Sequence, residues 1–296
     1  MIRQNIVNLY AHGSKVDLMV AEKDVLLTYV LKMLENKGYF DLVFKGGTCL
    51  RKCYFGRITR FSEDLDFQAT PSREIKKKLL EMFEGKEFSD IGFSYNDDDV
   101  YDTKDSFGIN VTYSHNWNPG SIFKLQMSFR SRCVLPPIMR QVTEEVYSKY
   151  LEFPLPVIPC MALNEIIAEK VRACYQRATV RDAFDLFLFS KQPFNKELIR
   201  KLVVIKMWEV HQDFDAKKFL GNVSGGKFAW YDIERLISRD KRITSGDIIN
   251  GISTRFSFLK DISKDEEELL RDARRHALVK KKMVIEEDVR RLHEKR

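Results

Sequence analysis

The chain has 296 residues, more than one hydrophobic core usually serves, so two domains are the expectation. Its 44% hydrophobic and 31% charged residues suit a globular protein, and no apolar run approaches the roughly 20 residues of a membrane span, which excludes a helical membrane protein. A net charge of +7 permits an anionic partner without demanding one, and five cysteines with no CxxC pair argue against a closed disulfide framework.

The opening residues, MIRQNIVNLYAHGSKVD, lack the apolar centre and cleavage site of a secretory signal, so a cytoplasmic protein without a membrane partner is expected. Over residues 16–38, Leu18, Val20, Leu26, Leu27, Val30, Leu31 and Leu34 recur at helical spacing, predicting an amphipathic helix that stops at Gly38.

Residues 42–67 read LVFKGGTCLRKCYFGRITRFSEDLDF and hold the chemistry. A short apolar run ending in Lys45, a Gly-Gly pair, Thr48 and then helix-compatible residues predict strand, turn and helix. Glycine lets a backbone approach a ligand or take positive φ, and the amides that open a helix have no intrahelical partner. Gly46, Gly47 and Thr48 therefore form a candidate phosphate cradle.

Asp64 and Asp66 stand two apart on a predicted strand, so both carboxylates share one face while Leu65 and Phe67 face a core. Two such carboxylates repel unless a cation lies between them, and Mg²⁺ is the usual solution when substrate phosphates complete its shell. Alone, a Gly-Gly turn is more often plain turn geometry and Asp-x-Asp a solvated edge. Side by side they are the apparatus of phosphoryl or nucleotidyl transfer. If Ser62 continues the strand, its hydroxyl joins the same face; a turn-capping serine is the plainer alternative. Cys49 and Cys53 share a helix face, but no nearby His completes a zinc site, so buried free thiols are expected.

These residues resemble the nucleotidyltransferase superfamily typified by DNA polymerase β, whose signature is Gly-Gly or Gly-Ser, a short helix, then Asp-x-Asp or Asp-x-Glu. The fuller phrases KGGTCLRK and RFSEDLDF are similar to those of the AbiEii/AbiGii group of nucleotidyltransferase toxins.

Pro71-Ser72 opens a helical pattern through Ile75, Leu79, Leu80 and Phe83, and β-type segments follow at 91–95, 107–113 and 122–129. With the strands of the central stretch they predict a mixed sheet with helices packed on it. The cluster Asp97, Asp98, Asp99, Asp102 and Asp105 lacks EF-hand spacing and reads as a solvated hairpin tip. In polymerase-β-like enzymes a neighbouring strand often supplies a third carboxylate, but here Lys124, Gln126 and Ser128 share the relevant face and none is acidic. Either two carboxylates suffice or the resemblance is imperfect at this point; Lys124 is a candidate phosphate contact or a solvated strand residue.

Pro136-Pro137 and the prolines of residues 153–159 read as an interdomain crossing, dividing an α/β domain over 1–154 from a helical domain over 155–296. Residues 163–177 and 181–189 predict two helices, across which Lys170 can face Asp182 and Asp185 as an ion-paired hairpin. In the resembled family these segments carry the motifs EKxxA and RDxxDL, matched by Glu169, Lys170 and Ala173 and by Arg181, Asp182, Asp185 and Leu186. The resemblance makes Lys170 a triphosphate contact oriented by Asp185, with Arg181 and Asp182 beside the nucleotide. Beyond residue 194 no catalytic constellation is visible, residues 265–296 mix both charges, and Trp208, Trp230 and Tyr231 read as core.

The expectation is an α+β protein: a polymerase-β-like lobe with a mixed sheet, then a helical lobe, with the active site in the cleft. Gly46, Gly47 and Thr48 would cradle the β- and γ-phosphates of a nucleoside triphosphate, and Asp64 and Asp66 would hold Mg²⁺. An acceptor hydroxyl would attack the α-phosphorus and expel pyrophosphate, with Lys170, Arg51 and Lys52 offsetting charge. The resemblance implies a toxin of a toxin-antitoxin or phage-defence system, the tRNA acceptor end as acceptor and a cognate antitoxin as partner. The alternatives are a nucleotidyltransferase acting on a protein or small molecule, and a degenerate member that binds nucleotide or RNA without chemistry.

Overall fold

Alternating apolar residues build one mixed β-sheet from the first part of the chain, and helical periods take over after residue 160. The computed structural model describes residues 1–38, 41–240 and 242–295; Arg296, the end of the mixed-charge run, lies outside them. The chain divides into two compact units. One holds residues 1–132, 137–160 and 235–240, the other 133–136, 161–234 and the described residues from 242 onward.

The strands of the first unit are β1 (Val43–Lys45), β2 (Asp64–Gln68), β3 (Lys86–Phe88), β4 (Ile91–Ser94), β5 (Val100–Asp102), β6 (Ser106–His115), β7 (Asn118–Ser128), β8 (Ile138–Gln141) and β9 (Val157–Cys160). Their order is β3-β4-β6-β7-β2-β1-β9-β8, with β5 alongside β6. β2 lies between β1, antiparallel, and β7, parallel. The register sets Phe67 beside Phe44 and Met127, and Leu65 beside Leu125, with Phe107 and Ile109 continuing the buried row on β6. Burial of each such side chain contributes about 1.5–3 kcal/mol, and strand alternation then forces Asp64, Asp66, Lys124 and Gln126 onto the opposite, partly exposed face.

Among the described residues, the α-helices that accompany the sheet are α1 (Gln4–Ser14), α2 (Leu18–Asn36), α3 (Gly46–Cys49) and α4 (Arg73–Phe83). α2 ends before Gly38, which takes the left-handed φ of +66° suited to a helix stop. α4 is capped by Ser72, whose Oγ accepts from the Ile75 amide at 3.4 Å, and it buries Leu79, Met82 and Phe83. α3 runs on into a wide π turn, Leu50–Phe55, whose first four residues are all buried. A regular α-turn buries one stripe; this turn carries Arg51 and Lys52 inward as well as Leu50 and Cys53.

Two expectations are corrected. Residues 157–160 form β9 in spite of Pro159, hydrogen-bonded on one side to β8 and on the other to β1, rather than an irregular crossing. Asp97–Asp99 form a short 3₁₀ turn that leads into β5, a strand the scattered acids concealed.

The second unit holds α5 (Leu163–Arg177), α6 (Val180–Ser190), α7 (Lys196–Glu209), α8 (Ala216–Ser224), α9 (Tyr231–Glu234), α10 (Ser245–Arg255), α11 (Lys264–Asp272) and α12 (Val279–Glu294). α5 packs on α6 and α7, and α12 covers another side of α7. Lys206, buried on α7, pairs with Glu165 at 2.6 Å, and the Glu165 carboxylate accepts from the Val134 and Leu135 amides at 2.8 and 3.0 Å. Trp208 is core, its Nε1 donating to Asp272, whereas Tyr231 is 73% exposed and is not the core residue expected. Among the described residues, no helix is long and apolar enough to cross a membrane.

Candidate active site

The Gly-Gly turn and the carboxylate strand form one built unit. Gly46 has φ +78°, and a β-carbon on it would lie 2.5 Å from Asp66 Oδ2, so both the backbone conformation and the Asp66 carboxylate require glycine there. Gly47 is a close approach instead: a β-carbon would collide with the Arg60 guanidinium and lie 3.1 Å from Ser62 Oγ. The Thr48 hydroxyl donates to the Asp64 carbonyl and ties the turn to the head of β2. Thr48, expected in the cradle, thus gives its side chain to the scaffold; its place at the start of the helix is unchanged.

Asp64 and Asp66 are both partly exposed, on the face opposite Leu65 and Phe67. On β7 the residues in register with them are Lys124 and Gln126, and on β1 Lys45 stands beside Asp66, its Nζ donating to Gln68 Oε1 at 3.2 Å. The β7 residue in register with Asp66 is therefore Gln126, not an acid. Ser62 precedes β2 rather than belonging to it, yet its hydroxyl is turned toward Gly47. The loop before β2 is pinned by the Phe61 amide donating to the Leu236 carbonyl at 2.6 Å, and by Glu63, which pairs with Arg235 and Lys23.

Arg51 and Lys52, expected to offset phosphate charge, are the clear correction. Both are 2% exposed. Arg51 Nε donates to Asp24 Oδ1 at 3.1 Å and Nη2 to Glu145 at 3.4 Å, with the guanidinium 3.7 Å above the Phe61 ring. Lys52 Nζ lies 2.8 Å from Asp24 Oδ2 and donates to Tyr147 and Thr28 at 2.9 and 3.0 Å. Burial alone would push the Asp24 carboxyl up, but Lys52 and Arg51 outweigh it and hold Asp24 below the usual range. These two cations are spent fastening the helix of the cradle to α2.

Arg60 was missed in the sequence, although it begins the RFSEDLDF phrase. Its guanidinium abuts Gly47 at the cradle, and Nη1 donates to the Phe61 carbonyl at 3.1 Å. Tyr101 was missed too. It lies in register with Gly108, and its phenol is pushed up to about 12 by burial and then by the charges of Asp66 and Asp64.

Lys170, Arg181, Asp182 and Asp185 belong to the second unit. Lys170 Nζ lies 3.0 Å from Asp182 Oδ1 and 2.8 Å from Asp185 Oδ2, and both carboxylates are 1% exposed. Arg177 and the Thr179 hydroxyl also reach Asp182, at 2.8 and 2.7 Å. Burial opposes ionisation of Asp182, but Lys170 and Arg177 prevail and hold its carboxyl well below the usual range. Arg181 is half-buried beside this cluster on α6.

Among the described residues, two groups of side chains have the donor chemistry to hold a metal. Asp64 and Asp66 offer hard oxygens from one strand face, which fits a small divalent cation whose remaining ligands are phosphate and water. Cys49, Cys53 and Cys160 bring three buried sulfurs within 4.8 Å of one another; the sequence showed the first two and concealed the third, which arrives on β9. Hydrogen bonds with the Cys160 and Cys49 thiols hold Cys53 below its ordinary range, and burial pushes Cys49 up.

The family model for the nucleotidyl transferase AbiEii toxin of type IV toxin-antitoxin systems matches residues 34–285. Among solved structures, the nucleotidyltransferase toxin MenT4 of Mycobacterium tuberculosis H37Rv aligns at a TM-score of 0.83 and 24% identity, over 98% of this chain and 100% of that one. JHP933 of Helicobacter pylori aligns at a TM-score of 0.49 and 19% identity, over 83% of this chain and 94% of that one. No curated protein matches the chain. The MenT4 likeness shows the α+β fold.

Proposed function

The chain belongs to the AbiEii nucleotidyltransferase toxin family of type IV toxin-antitoxin systems, and from that premise we propose that it moves a nucleotide from a nucleoside triphosphate to the acceptor end of tRNA, with Mg²⁺ held by Asp64 and Asp66. The observation that supports this reading is the close fit of the Asp66 carboxylate to the Gly46 backbone, which brings the Gly-Gly turn, a candidate anion site, beside the Asp64 and Asp66 pair, a candidate cation site.

In this reading the backbone around Gly46 and Gly47 receives the β- and γ-phosphates, and the Arg60 guanidinium beside Gly47 adds charge there. The bound divalent ion supplies Lewis-acid polarisation of phosphate oxygens. An acceptor hydroxyl attacks the α-phosphorus and releases its proton to solvent, the new P–O bond forms as the bond to the β-phosphate oxygen breaks, and pyrophosphate leaves. Lys170 is proposed to stabilise charge in the reaction, supported by its place in the EKxxA motif and by the two carboxylates that fix its ammonium. A cognate antitoxin follows from the family, and the net charge of +7 suits an RNA acceptor.

The test is incubation with each labelled nucleoside triphosphate, Mg²⁺ and total cellular RNA. Label entering the tRNA band, dependent on Asp66, is the expected result. Label entering protein or a small molecule instead would replace the acceptor, and transfer surviving Asp66→Ala would remove the metal assignment.

A further inference from the structure

The carboxylate face of the sheet extends beyond β2 and β7. In register across it stand Tyr101 on β5, Gly108 on β6, Gln126 on β7 and Asp66 on β2. Gly108 has no side chain, and the tip of the Tyr101 ring occupies that space: a β-carbon on Gly108 would collide with Cζ, Cε1 and Oη of Tyr101. The ring therefore lies across β6, with its tip over Gly108. Beside it, the Lys124 ammonium sits 4.9 Å from the centre of the ring, and Lys124 is the residue in register with Asp64.

The Tyr101 hydroxyl is shielded from solvent and has no hydrogen-bond partner among the described residues. A buried hydroxyl without a partner destabilises a fold, and phenylalanine would fill the same space over Gly108 without that cost. We propose that Tyr101 and Lys124 form a two-donor subsite for a phosphate oxygen on the carboxylate face, with Tyr101 a substrate-contact residue of the transfer reaction. The inference rests on the nucleotidyltransferase reading of that face. Both groups are donors: the lysine ammonium offers three N–H bonds and the phenol one O–H. A phosphate approaching two carboxylates needs positive charge and donors to offset repulsion, and Gln126, in register between Gly108 and Asp66, brings no charge. The phosphate belongs either to the triphosphate or to the backbone of the RNA acceptor.

Equilibrium binding distinguishes these sources without depending on turnover. The probes are inorganic triphosphate with Mg²⁺ and an RNA minihelix with an acceptor end, each titrated into the full chain, Tyr101→Phe and Lys124→Ala. The expected result is that both variants weaken the same probe, by roughly tenfold for one lost hydrogen bond to a charged group, while Tyr101→Phe melts no lower than the parent. Weakening of triphosphate alone identifies the nucleotide as the source; weakening of RNA alone identifies the acceptor. Unchanged dissociation constants for both probes in Tyr101→Phe would overturn the subsite. A parent that binds a probe through Tyr101 yet transfers no nucleotide overturns the transfer reading and leaves the subsite standing.

Discussion

The Asp66 carboxylate rests against the α-carbon of Gly46, so closely that a β-carbon there would lie 2.5 Å from Oδ2. Gly46→Ala must therefore move the carboxylate or the turn, and it also forces alanine to the φ of +78°. The expected outcome is loss of transfer with a stability cost of about 1–3 kcal/mol. Turnover and thermal melting measured together check it; an alanine variant with normal turnover would show that the contact is incidental.

Asp64→Ala and Asp66→Ala should abolish transfer and leave melting close to that of the parent. Each side chain is partly exposed on the face away from the core, so its removal opens no apolar cavity. Replacement of Leu65, which is fully buried between them, should do the reverse and cost about 2–5 kcal/mol as alanine. A melting profile for Asp66→Ala as low as that of Leu65→Ala would contradict the separation of the two faces.

Lys170→Ala should lower both activity and stability. As an exposed pair the lysine would contribute at most about 1 kcal/mol, but its two partners are buried, and removing it leaves Asp185 without that cation. Loss of one partner from a buried pair costs about 3–5 kcal/mol, and Arg177 on Asp182 reduces the damage. Lys170→Arg separates the roles, since it keeps the charge but changes the shape and reach of the donor. Near-parental melting with reduced turnover in that variant supports the chemical role; parental turnover would make the residue structural.

Asp24 and Asp182 both titrate lower in the fold than in the unfolded chain, where a carboxyl has a pKa of about 3.9. A depressed folded value means that the unfolded state takes up protons first on acidification. The stability contributed by these groups is therefore fully present above the unfolded pKa and is lost as pH falls below about 4 toward the folded values. Urea unfolding between about pH 6 and about pH 3, on either side of that pKa, should show a fall that is smaller in Asp182→Asn. An equal fall in parent and variant would mean that other carboxylates dominate.

Native thiol labelling should find one fast cysteine. Cys133 is partly exposed, whereas Cys49, Cys53, Cys160 and Cys174 are buried. Slow labelling of the four until the chain unfolds is expected; rapid labelling of Cys53 would reveal opening of the cradle helix, since Cys53 is 2% exposed in the closed fold.

What the sequence determined by itself was local. The two-residue period placed Asp64 and Asp66 against Leu65 and Phe67, because alternation is a property of an extended backbone and needs no partner strand. The glycines marked the turn, and the family motifs marked Lys170 and its two carboxylates because the residues that meet are held in two consecutive helices, α5 and α6. Only the tertiary structure decided which charges were spent inside. Arg51 and Lys52 read as phosphate ligands until Asp24 and Glu145, distant in sequence, closed on them. Cys160 joined Cys49 and Cys53, and Tyr101 reached toward the carboxylates, through strand order and register. Both are non-local: a side chain's period is written in its neighbours along the chain, but its partners are set by which strands pair and by how much free energy is gained by burying one set of contacts rather than another.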